Sequence, residues 1–206
     1  MSALRLNRLV LGLIVAGILL AFAVLIFVAL MSIGVVNPFH AHEHCIVQTG
    51  IAFRMYASEH GGAFPSDSNG FGNALLLLVK EGTLGDRDGT HSVALLTAPG
   101  DNGDVLREAF KTGAHVPDEK CSRIYVQGLT QNNNPEIAIL FDKYPTPGGD
   151  HFRHPWGAPI RDVCMLDGST KSIHETNWLA FASNQVELLV KEGILRGTAE
   201  HYYLIK

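Results

Sequence analysis

The first thirty-six residues carry one long apolar run. From Leu9 to Val36 there is no charged side chain. A membrane span needs about 20 mostly apolar residues at about 1.5 Å each, and in hydrocarbon its backbone must bond within the segment, so the run reads as a helix. Beyond it the pattern changes period. Ile46, Gly50, Phe53 and Ala57 form an apolar stripe at helical spacing within 40–60, and Gly61-Gly62 ends it. Asn37-Pro38 before that stretch predicts a break, because proline disfavours helix in the residue preceding it.

Further on, Phe71–Lys80 with its four leucines reads as a helix, and Asp104–Lys111 as a short one. Val93–Leu96 is apolar but of undecided type. Strands are expected over 123–128, 136–141, 160–166 and 169–173. Asp167-Gly168 between the last two predicts a hairpin with a type I′ turn. Trp178–Val190 reads as a final helix. The stretch 73–84 (NALLLLVKEGTL) echoes 184–195 (NQVELLVKEGIL), which predicts two similar helices with glycine after the last turn.

These elements divide the chain into a short head (1–8), a membrane helix (9–36), a juxtamembrane amphipathic helix (37–62) and an α+β domain (63–206). Arg5 and Arg8 are the only charges before the apolar run, so the positive-inside bias keeps the N-terminus cytoplasmic and puts the domain across the membrane. A cleaved signal peptide has an apolar core of roughly 7–15 residues and a small-residue cleavage site. This run is longer and lacks such a site, so an uncleaved anchor in the inner membrane is expected, with the domain periplasmic or extracellular. Gly12, Ala16, Gly17, Ala21 and Ala23 would let another helix approach closely.

Composition narrows the function further. The net charge is −4, with no basic block, so no nucleic-acid partner is expected. Nucleophile-elbow and phosphate-loop motifs are absent, and the chain is not expected to be an enzyme. His40 and His44 stand four apart and can chelate a divalent metal from one helix face. Two ligands fall short of a structural zinc site, and the alternative reading is a solvated collar at the lipid boundary. Asp150, His151 and His154 share a loop rich in proline and glycine and make a third, last-ranked possibility, a metal-dependent enzyme. The three cysteines are Cys45, Cys121 and Cys164. A Cys121–Cys164 bridge across the sheet is one reading and buried thiols are the other, since connectivity is not legible from sequence.

The order of elements resembles the type IV pilin-like family, and within it the major pseudopilins of type II secretion. Three stretches carry the resemblance. Gly50 to Pro65 is similar to the family's helix end and following turn, with Tyr56, Gly62, Phe64 and Pro65 in place. His154-Pro155-Trp156-Gly157-Ala158-Pro159 is similar to its D-P-W-G-x-P loop, with histidine for aspartate. Val163 to Ile173, holding Asp167-Gly168 and followed by Trp178, is similar to its closing hairpin. The resemblance implies a long N-terminal helix packed on an antiparallel sheet, and a structural role beside like subunits or other pilin-like proteins in a lipid bilayer. It also implies a cysteine before the sheet, at Cys121, and possible calcium binding in loops near Asp142, Asp150 and Asp167, although Asp167 also reads simply as a turn residue. The family's glutamate and cleavage point are missing from Leu9–Val36, so a permanently anchored, unprocessed protein is expected. The alternative function is an anchored binding module that captures a partner through the loop 144–159.

Overall fold

A computed structural model describes residues 3–32, 45–85, 90–101, 103–147 and 158–194. The chain divides into two units, Met1–Pro38 and Phe39–Lys206.

Among the described residues the first unit holds one element, helix α1 (Ala3–Ser32), thirty residues long. Its described side chains run from Gly12 to Phe27 and all are exposed. Leu13, Leu20 and Leu25 are 66–67% exposed. Counted over the described residues, no helix is long and apolar enough to cross a membrane.

The second unit is α+β with an antiparallel sheet. In order it holds helices α2 (Ile46–Glu59), α3 (Phe71–Lys80), α4 (Thr90–Ala94) and α5 (Asp104–Thr112), strands β1 (Arg123–Tyr125), β2 (Ala138–Asp142), β3 (Thr146–Pro147), β4 (Pro159–Met165) and β5 (Thr170–His174), and helix α6 (Glu175–Lys191). All strand pairs are antiparallel. β1 pairs with β2, and β2 with β4. Val163 and Cys164 of β4 pair with both β2 and β5, and Ile160 with both β3 and β5. So β2 and β3 follow one another along one edge of β4, and β5 takes the other.

Alternation along β4 sends Cys164 to one face of the sheet and Arg161 to the other. Helix α2 covers the Cys164 face. A Cβ built on Gly50 would stand 2.7 Å from Cys164 Sγ, so only a glycine lets the helix sit this low. Phe53 stacks on Tyr125 at 4.9 Å and meets Phe64 edge-on at 6.3 Å. The expected stripe is the buried one: Ile46, Gly50, Phe53 and Ala57 are all buried. Burial of such side chains contributes about 1.5–3 kcal/mol each before entropy.

Helix α6 covers the opposite face. Its Trp178 is 1% exposed and lies 5.5 Å from Phe141. Gln185, equally buried, accepts from the Ala138 amide at 2.8 Å and donates to the Glu136 carbonyl at 3.0 Å, holding the start of β2. The helix starts at Glu175, three residues before the expected Trp178, because the His174 ring accepts from the Thr176 amide and caps its first turn.

Helix α3 has no cap of its own at Gly70. Asp118, forty-six positions away, accepts from the Gly72 amide at 2.9 Å and supplies the missing acceptor. The undecided run at 93–96 begins in the last residues of α4. The 73–84 and 184–195 echo becomes the same helix ending twice: Gly82 N–H donates to Val79 as Gly193 N–H donates to Val190, each glycine left-handed.

The hairpin forms where expected, but not with a type I′ turn. Among the described residues only glycines have positive φ, and in this turn that is Gly168 at +85°. Gly168 N–H donates to Met165, and Met165 N–H to Ser169. Leu166 and Asp167 therefore make an ordinary turn, followed by a left-handed glycine that bulges the ladder. The Asp167 carboxylate favours this form by accepting from the Ser169 amide at 2.8 Å.

Candidate functional site

The sheet carries charged side chains on both faces. On the α2 face a line of polar contacts crosses the strands. Thr49 Oγ1 and Arg123 Nη1 both donate to the Leu95 carbonyl at 2.7 Å. Arg123 Nε donates to Asp142 at 3.0 Å, with both side chains fully buried. The second Asp142 oxygen accepts from the Asp162 amide at 3.2 Å, and Asp162 accepts from Ser172 Oγ. On the α6 face, Arg161 grips Glu175 through two nitrogens, both at 2.9 Å, and lies 4.5 Å over the Trp178 ring.

These contacts join α2, the turn after α4, β1, β2, β4, β5 and α6. They pin neighbouring elements to one another, and Arg123–Asp142 in particular places a charge pair where no water reaches it. Such a pair is costly to break, because the remaining partner is left buried and unpaired. Arg123 was not singled out from the sequence, and Asp142, expected beside a loop as a possible calcium ligand, is instead the buried partner of Arg123. Arg123, Arg161 and Asp162 stand inside apolar strand runs (RIY, PIRDVCM), and charged residues at those positions were the available signal.

The expected site residues fall in three groups. His40, His44, Asp150, His151, His154, Pro155, Trp156 and Gly157 lie outside the described residues, so the histidine collar and the tryptophan loop receive no geometry. Asp167 and Gly168 are the hairpin turn, as described above. The Asp167 carboxyl is held below the usual carboxylate range by its hydrogen bonds from Ser169. Its carbonyl oxygen accepts from Arg54 Nη1, tying the hairpin to α2. Among the described residues no three His, Cys, Asp or Glu side chains gather as metal ligands.

The bridge between Cys121 and Cys164 is not formed; all three cysteines are free and buried. Cys164 lies under Gly50 of α2, while Cys121 packs against Gly72 of α3. The two thiols thus serve as small apolar fillers beneath different helices. Burial pushes both up to about 12, and nearby carboxylates (Asp118 for Cys121, Asp167 for Cys164) add to the effect. At neutral pH they stay protonated and are poor nucleophiles.

The remaining surface feature is α1 itself. Phe22, Leu25, Ile26 and Phe27 follow one another around the helix, and each is 46–67% exposed. A Cβ added at Gly12 or Gly17 would meet nothing within 4 Å. No protein-family profile, curated protein or solved structure matches the chain.

Proposed function

We propose that this protein is a membrane-anchored, pilin-like structural subunit of a secretion or surface assembly, held in the bilayer by α1. The observation that carries the reading is the all-round apolar surface of α1. A helix hydrophobic on every side is stable only when something apolar surrounds it. Hydrocarbon meets that need, and its thickness matches a run of about 20 residues. Leu9–Val36 without a charge supports the same reading.

The pilin-like part rests on the resemblance and on one packing feature that agrees with it. The buried stripe of α2 lies on an antiparallel sheet that ends in a hairpin at Asp167-Gly168. Subunits would meet through the anchors, where Gly12 and Gly17 leave open backbone.

Crosslinking in native membranes tests the assembly. Full-length protein is expected to give a ladder of multimers, and Gly12→Asn with Gly17→Asn is expected to remove it while the protein stays in the membrane. An unchanged ladder, or monomer alone for the unaltered protein, overturns the proposal.

A further inference from the structure

Helices α3 and α6 end alike, and each ending carries a glutamate just past the last helical residue: Glu81 and Glu192. Both are bonded to another element. Glu192 Oε2 accepts from Asn133 Nδ2 at 2.8 Å, joining α6 to the β1–β2 connection. Glu81 Oε2 faces His60 Nε2 at 3.0 Å, joining α3 to the end of α2. The same device is thus used twice, once with an amide partner that holds no exchangeable charge and once with an imidazole.

The imidazole faces acceptors on both sides. His60 Nδ1 lies 2.8 Å from the Tyr56 carbonyl, and Nε2 faces the carboxylate. A carbonyl and a carboxylate can only accept. A neutral ring has one N–H and completes one of the two bonds; a protonated ring has two and completes both. The ring is fixed in this pose by stacking on Tyr56, centroids 3.8 Å apart and planes within 5°. The turn that follows His60 is tied to the β1–β2 connection: Ala63 N–H donates to His60, Phe64 N–H to Leu129, and Gln131 N–H to Gly62.

We infer that His60 and Glu81 form a proton-operated clasp that fastens the end of α2 to the end of α3 in acid and loosens it at alkaline pH. Histidine is the side chain whose charge ordinarily changes in the interval between about pH 5 and pH 8. The titratable groups facing the ring are Glu81 and Tyr56, with Glu59 beside it on its own helix. The β1–β2 connection brings Leu129, Thr130 and Gln131 to this turn, none of which titrates. Tyr56 stays neutral across the interval, since burial and Glu81 push its hydroxyl above the ordinary value. The clasp does not depend on the membrane reading of α1.

Hydrogen exchange on the full-length protein, corrected for intrinsic rates, tests this at individual amides. On going from about pH 8 to about pH 5, protection of the Gly62, Ala63 and Gly82 amides is expected to rise about two- to fivefold, the range a half-exposed pair supports. Protection of Asn133 and Gly193 at the amide-held ending is expected not to move. Glu81→Gln can donate to the neutral ring, so it should keep the turn protected and lose the response. His60→Asn should also lose it. Equal responses at both helix endings, no response at either, or a response that survives His60→Asn overturns the clasp.

Discussion

Helices α1 and α2 are both rich in apolar residues, yet they distribute them in opposite ways. In α2 the large side chains Ile46 and Phe53 are buried along one stripe, while Gln48, Arg54 and Ser58 lie outward. In α1 every described side chain is exposed, and leucine, isoleucine or phenylalanine stands at most positions. The difference is one of period. An apolar residue every three or four positions gives a helix a side to bury against protein. Apolar residues at every described position leave α1 no polar side. The same chain therefore shows one helix whose apolar stripe is buried by the fold and one whose described apolar side chains are all exposed.

Substitutions separate the two. The largest effect is expected at Phe53→Ala, which removes the stacking on Tyr125 and leaves a cavity under α2. It should cost about 3–5 kcal/mol in denaturant unfolding of the second unit. Membrane association should not change, because α1 is untouched. Leu20→Arg should do the reverse. A charge in mid-span costs about 2.5–3.5 kcal/mol of insertion free energy, so the membrane-bound fraction falls while the unfolding midpoint of the second unit stays put. Loss of unfolding stability on Leu20→Arg would mean that α1 packs on protein.

Gly50→Val tests how closely α2 is seated. The new side chain meets Cys164 Sγ and should destabilise by about 1–3 kcal/mol, whereas Gly17→Val, with nothing within 4 Å, should leave unfolding unaltered. The smallest effect is at the hairpin that α2 touches through Arg54. Hydrogen bonding from Ser169 favours ionised Asp167 in the folded state. Its contribution is complete above the ordinary aspartate value of about 3.9 and fades as pH falls through the lowered folded value. Asp167→Asn should therefore lower the stability–pH curve slightly at neutral pH, where the ionised carboxylate contributes in full, and flatten its acid side.

Much of the secondary structure was legible because it depends on local periodicity. The α2 stripe, α3 and the strand runs sit where the spacing of apolar residues puts them. The turn residues marked the β4–β5 hairpin, but not its form. Aspartate-glycine also serves a turn that needs positive φ only at glycine, and the Asp167–Ser169 bond selects that one. What stayed hidden depends on distant partners. Asp118 caps α3 from forty-six positions away. Arg123 is buried only because Asp142 and the Leu95 carbonyl converge on it. A cysteine pair is compatible with a bridge until the fold sets the two thiols beneath different helices. The adjacent strand residues Arg161 and Asp162 lie on opposite faces of β4, and each is buried by a distant partner, Glu175 of α6 for Arg161 and Ser172 of β5 for Asp162.

Extraction of native membranes with alkaline carbonate, followed by quantification of the full-length chain in lipid and supernatant, tests the assignment of α1 most directly. Retention of nearly all of the chain with the lipid, and its release only by detergent, is the predicted result. Quantitative release into the carbonate supernatant would mean that α1 is covered by protein and not by lipid, and the anchored-subunit account would fail with it.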